Sequence, residues 1–126
     1  MKTTISILLL IVGIIHLLPV TGVLGPERLS ILYGISVSEP NLEVLMRHRA
    51  VLFALLGGYM VYAAFTPPAQ VVAVIAGFIS VASFLWLAQP VQVINEQLMR
   101  VVVADYVALA CLAVAAGLLF RLRLAS

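Results

Sequence analysis

Charged residues are scarce in this sequence. They make up 10% of its 126 residues, whereas a soluble domain contains about 25%. Hydrophobic residues make up 64%, and a domain this small has too little interior to hide them all from water. The composition therefore predicts a single domain whose solvent is the lipid bilayer.

Cysteine and the common catalytic signatures are also absent or nearly so. Cys111 is the single cysteine, which excludes an internal disulfide. The sequence contains no CxxC, HExxH or GxSxG motif, so it lacks the usual signatures of dithiol redox proteins, zinc proteases and serine hydrolases. The net charge of +2 is too small and too scattered to indicate a nucleic-acid partner.

Four long apolar segments are what the sequence does contain. We predict transmembrane helices over about 5–24, 45–65, 69–88 and 99–120. The uncharged part of the second segment, 50–65, has 16 residues, or roughly 24 Å of helix. A helix needs about 20 residues to cross the membrane. This helix must therefore begin before Arg47, His48 and Arg49, which places the three side chains at the membrane boundary or just below it.

The first segment also has features of a signal peptide, because Lys2 precedes its apolar run and small residues follow it. The run is long for such a region. Its removal would also leave an odd number of helices. We therefore interpret it as a retained transmembrane helix.

Prolines and glycines predict where the helices begin and end. The pair at 67–68 lacks the N–H groups that a helix interior needs, so the second helix should end before it. In the connector before the second helix, Pro26 suits a first helical position, Gly34 a helix end and Pro40 a new start. Asn95 is a candidate N-cap for the fourth helix.

A short helix is predicted inside that connector, over about 26–34. Its apolar residues Leu29, Leu32 and Tyr33 share one face, which favours an amphipathic helix lying on the membrane interface. The predicted fold is all-α. It is a four-helix transmembrane bundle with this short interfacial helix between the first and second spans.

Antiparallel spans bring most polar residues to one end of the bundle. That end receives the end of the first helix, the start of the second, the end of the third and the start of the fourth. Its polar and aromatic members are His16, Glu27, Arg28, Arg47, His48, Arg49, Trp86, Gln89, Glu96, Arg100 and Asp105. The groups able to do chemistry therefore converge on one side.

Asp105 lies deep in the fourth span, about 7 Å past Arg100 by helix rise. A carboxylate there must be protonated, paired or in contact with a water-filled cavity. Arg47 and Arg49 are the nearest cations by topology, and they lie about 200° apart on their helix, so only one can face Asp105. Arg47 shares its face with small residues at four-residue spacing, a pattern typical of close helix packing. They are Ala50, Ala54 and Gly58. We therefore predict an Arg47–Asp105 pair, with Arg49 as the second choice.

His16 lies about 12 Å inside the end of the first helix by the same rise. It either serves a site in the membrane or simply bonds a backbone carbonyl or a serine. A buried charge pair, likewise, either marks a site or only locks two helices together.

Three segments carry a family resemblance: "IHLLPVTGVLG", "RLSILYGI" and "EPNLEVLMRHRAVLFALLGG", in this order. Together they resemble small four-helix bacterial membrane proteins of unknown function that are DoxX-like in general look. The resemblance spans most of the chain, rests on short apolar motifs and supplies no catalytic residue. It implies a bacterial cytoplasmic membrane. If Arg47 and Arg49 serve a site and are left out of the charge count, the positive-inside rule puts the termini on the cytoplasmic side.

Some chains of this look are labelled phosphopantetheine adenylyltransferase. A nucleotidyltransferase of that kind resembles a soluble α/β domain with an HxGH motif. The residues here argue against that activity, because the sequence has no HxGH, no glycine-rich phosphate loop and no strand–helix alternation.

The leading functional hypothesis is a one-sided polar cavity that binds a small amphipathic or lipid-like molecule, with chemical modification of that molecule as an extension of it. Its candidate ligand-binding residues are His16, Arg47, His48, Arg49 and Asp105. One alternative is a small-molecule transporter that works as a homo-oligomer, since four short helices rarely enclose a full path. The other is a non-catalytic accessory or structural subunit. We expect no metal and no cofactor, because His16 and His48 differ in predicted depth by a turn or more, which disfavours haem ligation.

Overall fold

The computed structural model describes residues 1–91 and 93–125. All regular structure within these ranges is helical. The elements are α1 (Lys2–Leu17), a 3₁₀ helix (Leu18–Leu24), α2 (Pro26–Tyr33), α3 (Pro40–Ala64), a 3₁₀ turn (Pro67–Ala69), α4 (Gln70–Ala88) and α5 (Glu96–Ala125).

Four of these helical stretches are long and apolar enough to cross a membrane. They are Lys2–Leu24, Pro40–Ala64, Pro67–Ala88 and Glu96–Ala125. The predicted all-α fold is confirmed for the described residues, and the four predicted spans each coincide with a stretch of sufficient length and apolarity. α3 begins earlier than the predicted span, because Pro40 starts it and the carboxylate of Glu39 accepts hydrogen bonds from the N–H groups of Asn41 and Leu42.

The predicted boundary residues act as expected. Pro26 and Pro40 occupy first-turn positions of α2 and α3, where a missing N–H costs nothing. Gly34 ends α2 with a φ of 66°, a left-handed conformation that glycine adopts without strain. The prolines at 67–68 follow the end of α3 and open the turn into α4.

The four long helices form a closed ring of neighbours, in which α1 contacts α3 and α5, and α4 contacts the same two. α1 and α4 therefore stand at opposite corners, as do α3 and α5. α1 and α3 approach closely at Gly13 and Gly57, where a Cβ built on Gly57 would lie 2.9 Å from the Gly13 carbonyl oxygen. Gly58 has open space around its Cα, so the small face that packs includes Gly57 and not the predicted Gly58.

α2 lies across the connector end of the bundle. Leu29 and Tyr33 are buried with Val37, and they pack with Leu98 and Val101 of α5 among others. Asn95 holds this arrangement at the start of α5.

The side chain of Asn95 donates to the Tyr33 carbonyl at 2.8 Å and accepts from the Leu98 N–H at 2.7 Å. The predicted N-cap is thus confirmed. The cap also fastens the end of α2 to the first turn of α5.

Candidate functional site: a cavity at the connector end

A cavity of about 370 Å³ lies beneath α2, at the end of the bundle where the connector joins the helices. All five α-helices contribute to its wall. The polar lining residues are His16, Tyr33, Arg49, Ser80, Gln97, Arg100 and Asp105, and the remaining ones are Ile15, Leu18, Pro19, Ile31, Leu32, Phe53, Phe84, Val101 and Ala104. The cavity therefore combines charged groups with predominantly apolar walls.

His16 is buried, with 3% of its surface exposed, and both ring nitrogens have partners. Nδ1 lies 2.9 Å from the Val12 carbonyl oxygen, and Nε2 lies 3.0 Å from Ser80 Oγ. Because a carbonyl only accepts, Nδ1 carries a proton, and in the neutral ring Nε2 accepts from the Ser80 hydroxyl. The bond to Ser80 crosses the bundle from α1 to α4, its opposite corner.

Arg49 is held against two aromatic rings. Its Nη1 donates to the Tyr33 hydroxyl at 2.7 Å. The guanidinium carbon lies 4.5 Å from the Phe53 ring centre and 5.2 Å from that of Tyr33. Stacking on ring faces stabilises a partly desolvated guanidinium. Most of its N–H groups have no protein acceptor among the described residues.

Asp105 projects from α5 into the same cavity. Its carboxyl group makes no hydrogen bond and no ion pair with any described residue, and the charge that acts on it is that of Arg49. An acid at this depth is stable only when it is protonated, paired or hydrated. The cavity supplies the space for water or for a ligand group.

Arg47 and His48 lie outside the cavity, exposed to the surroundings. Arg47 Nε donates to the Val23 carbonyl at 2.8 Å, and its Nη1 lies 3.6 Å from Glu43 Oε1. The predicted pair of Arg47 with Asp105 is therefore wrong: Arg47 fastens the 3₁₀ segment to α3. Of the five predicted site residues, the structure brings together His16, Arg49 and Asp105.

Several lining residues were not proposed from the sequence. Tyr33 was assigned only to the apolar face of α2, Ser80 only to the small residues that pack the third span, and Gln97 had no role. Ser80 is a polar interruption in an apolar span, and such interruptions in spans are the signal that could have placed it opposite His16. No comparable signal pointed to Tyr33.

The mouth of the cavity is edged by its three exposed lining residues, Leu18, Ile31 and Arg100. Two of them are apolar and one is a cation. Arg100 makes no hydrogen bond or ion pair with the part of the chain that the structure describes. An opening of this kind suits a molecule with an apolar body and a polar head.

Among residues 1–91 and 93–125, no group of three or more His, Cys, Asp and Glu side chains is placed to hold a metal ion. No protein-family model matches the chain, and comparisons with curated proteins and with solved structures also give no match. The function must therefore be argued from the cavity itself.

Proposed function

We propose that this is an integral membrane protein whose connector-end cavity binds a small amphipathic or lipid-like molecule. The supporting observation is the cavity itself, because a volume of about 370 Å³ falls in the range of small-molecule sites, roughly 300–1,000 Å³. Its few polar groups converge on one region while the walls are apolar. That combination fixes the orientation of an amphiphile.

The head group of the ligand would lie between Arg49 and Asp105, which come from opposite corners of the bundle. Both have unused hydrogen-bonding capacity there. Phe53 and Phe84 would contact the apolar part. The chain would leave past Leu18 and Ile31 towards the bilayer.

In this proposal α2 lies at the membrane interface and covers the head-group region. Its buried residues Leu29 and Tyr33 face the bundle, and the charged Glu27 and Arg28 are exposed. The membrane would be a bacterial one, as the resemblance suggests, and the termini would lie on its cytoplasmic side. Reporter fusions at Ser38 and at the 67–68 turn test this, and the turn should report the cytoplasm.

Cysteine accessibility tests the cavity. In a Cys111→Ala background, Asp105→Cys should react with a small water-soluble maleimide, and Ala108→Cys should be inert because Ala108 is fully buried. Only a thiolate reacts, and a thiol in a dry apolar core stays protonated. The wild-type protein, examined by native mass spectrometry in mild detergent, should retain a bound lipid-like molecule. The labelling is done on delipidated Asp105→Cys, and adding the lipid back should slow it.

An inert cysteine at position 105 in a folded protein would mean that the polar groups are sealed. The proposal would then fail in favour of a structural subunit. Reactivity at both positions would show a loosened bundle, and it would contradict the packed core that the cavity is contrasted with.

Chemical modification of the ligand is a second candidate, favoured by one observation. Ser80 Oγ lies 3.0 Å from His16 Nε2, and the Val12 carbonyl holds the other ring nitrogen. A nucleophile, a base and a group that orients the base are the parts of an activated serine. Ser80 would attack an ester carbonyl while His16 takes its proton, His16 would return that proton to the leaving alkoxide, and water would hydrolyse the acyl-serine.

A fluorophosphonate probe distinguishes this reaction from a purely structural bond. Labelling of Ser80, lost in both Ser80→Ala and His16→Gln, would support it. Ser83 provides the control, because its hydroxyl donates to the Ser80 carbonyl and not to the histidine. Labelling unchanged in Ser80→Ala, or none in the wild type, would exclude it.

A further inference from the structure

The charged side chains that line the cavity do not balance. Arg49 and Arg100 bring two positive charges, whereas Asp105 brings one carboxyl group. Arg49 acts on Asp105, so Arg100 carries the excess charge at the exposed mouth, where it would attract an anionic group. A ligand with one negative charge would remove the imbalance.

Hydrogen-bond donors exceed acceptors in the same lining. Each guanidinium has five N–H donors, of which Arg49 gives one described bond, to Tyr33, and Arg100 gives none. The Tyr33 hydroxyl accepts that bond, so its own hydrogen is free to donate. The ligand that satisfies this lining is rich in acceptor oxygens.

The two arginines come from α3 and α5, which stand at opposite corners of the bundle. A single acceptor group between them needs oxygens that point in both directions. A phosphodiester has this geometry, and forked guanidinium–phosphate contacts are among the strong charge-assisted hydrogen bonds. A carboxylate has only two oxygens, both on one side.

Asp105 sets a second requirement. Its carboxyl group has no partner in the described chain, and an anionic head group alone would bring another acceptor towards it. A hydroxyl group on the head would instead donate to Asp105. The complementary head group therefore carries an anion and, next to it, a hydroxyl.

The mouth decides between a lipid and a soluble molecule with the same head. Leu18 and Ile31 edge it and are 63% and 68% exposed, so an apolar chain leaving the cavity would cover them. A free head group would leave them uncovered. The mouth therefore favours the chain-bearing molecule.

We propose that the cavity selects an amphiphile with a monoanionic phosphodiester head that bears a hydroxyl group. This assignment rests on the proposed binding function. Arg49 and Arg100 hold the phosphodiester oxygens, Asp105 accepts from the hydroxyl, and the chain passes between Leu18 and Ile31.

Four probes of one chain length test the assignment on the purified protein in an uncharged detergent. They are a lysophosphatidylglycerol, the matching methyl phosphodiester without head-group hydroxyls, the matching lysophosphatidylcholine and a monoacylglycerol, with glycerophosphoglycerol as the chain-free arm. The lysophosphatidylglycerol should bind most tightly, and the methyl ester about tenfold more weakly, as one lost hydrogen bond of about 1.4 kcal/mol implies. Glycerophosphoglycerol should not bind measurably.

Variants assign each contact. Asp105→Ala, which leaves no acceptor, should abolish the difference between the lysophosphatidylglycerol and the methyl ester. Arg100→Gln should weaken binding of the lysophosphatidylglycerol by about tenfold and leave binding of the monoacylglycerol unchanged, because Arg49 still holds part of the phosphodiester. Because Arg100 is exposed and makes no described hydrogen bond or ion pair, this variant should fold normally, and its circular dichroism and melting temperature provide the control.

The failures are distinguishable. Equal binding of all chain-bearing probes would overturn the head-group assignment and leave the binding function standing. Tight binding of glycerophosphoglycerol would replace the lipid with a soluble phosphodiester. Absence of binding by every probe to the folded protein would overturn both proposals.

Discussion

The two ends of the bundle use the same four long helices in different ways. Towards the termini they pack to contact, with Leu9, Met60 and Leu112 fully buried and a Cβ built on Gly77 only 2.9 Å from the Met60 and Leu112 side chains. Towards the connector they separate around a cavity of about 370 Å³ that contains Arg49 and Asp105. One end resembles a closed core and the other a site.

Under the proposed function, this difference separates the part of the bundle that provides stability from the part that binds the ligand. In a lipid solvent, helix association depends on close packing and on a few polar bonds. The packed end supplies the first. The cavity end gives up packing, and polar contacts hold it together instead, chiefly those of Asn95 with α2 and Arg47 with the 3₁₀ segment. Such a division is typical of proteins that give up stability at a site.

Adding volume at equivalent positions of the two ends should give the largest contrast. Ala104 lines the cavity, whereas Ala108, one turn further along α5, is fully buried. Ala108→Phe should lower the free energy of unfolding by about 3 kcal/mol or more, because an overpacked core must shift. Ala104→Phe should cost less than about 1 kcal/mol and abolish lipid retention.

Thermal unfolding in detergent and native mass spectrometry measure the two effects. Equal destabilisation by the two substitutions would show that the cavity is closed in the folded protein. The two ends of the bundle would then be equally well packed.

Two neighbouring glycines of α3, between the cavity end and the packed end, provide the next test. Gly57→Ala places a methyl group 2.9 Å from both the Gly13 carbonyl oxygen and the Leu17 side chain, whereas Gly58→Ala meets nothing within 4 Å. We expect Gly57→Ala to cost about 1–3 kcal/mol and Gly58→Ala to leave the melting temperature unchanged. A larger effect at Gly58 would mean that α3 is rotated by one residue, about 100°.

The rotation of α3 about its own axis could not be predicted from the sequence. Composition predicted the number of spans, and the positions of proline and glycine predicted the helix boundaries at Pro26, Gly34 and Pro40. The antiparallel order of the spans then predicted that polar residues converge on one end. The packing face of α3 was not predictable in this way, because a transmembrane helix is apolar towards both lipid and protein. The predicted face at Gly58 lies about 20° from Arg47, whereas Gly57 lies about 80° from both Arg47 and Arg49, so the small residues of α3 do not by themselves select one arginine.

The candidate site was predictable to the same degree. Helix rise placed His16 and Asp105 deep in the spans, and the structure puts both in the cavity. One alternative for His16 was a bond to a carbonyl or a serine, and it makes both. The roles of Tyr33 and Asn95 depend on how α2 folds back across the bundle, which is a long-range contact that no local pattern encodes.

Substitutions of Arg47 and Arg49, on either side of His48, should separate ligand binding from stability. Arg49→Gln removes the charge that lines the cavity, and loss of a charge-assisted bond of about 1.5–3 kcal/mol should weaken retention of an anionic amphiphile by tenfold or more. Arg47→Gln removes the bond to the Val23 carbonyl and should cost about 1 kcal/mol of stability with unchanged ligand retention. Isothermal titration calorimetry measures ligand affinity in both variants, and melting curves measure their stability. Loss of affinity in Arg47→Gln, with none in Arg49→Gln, would restore Arg47 to the site.

The smallest expected effect is a pH dependence confined to the connector end. At the start of α3, the Glu39 carboxylate accepts hydrogen bonds from the N–H groups of Asn41 and Leu42. These bonds hold the pKa of the Glu39 carboxyl below its usual value. Because the folded-state pKa is the lower one, the capping contribution is complete above the unfolded pKa and is lost as the pH falls through the folded one. Amide protection factors at Asn41 and Leu42 should therefore fall on acidification, while that of Leu112 in the packed end stays constant. Glu39→Gln, which cannot ionise, should flatten the response at both amides. Unchanged protection at Asn41 and Leu42 in the wild type would show that Pro40 and packing alone fix the start of α3, and that the connector end is no more sensitive to pH than the closed core.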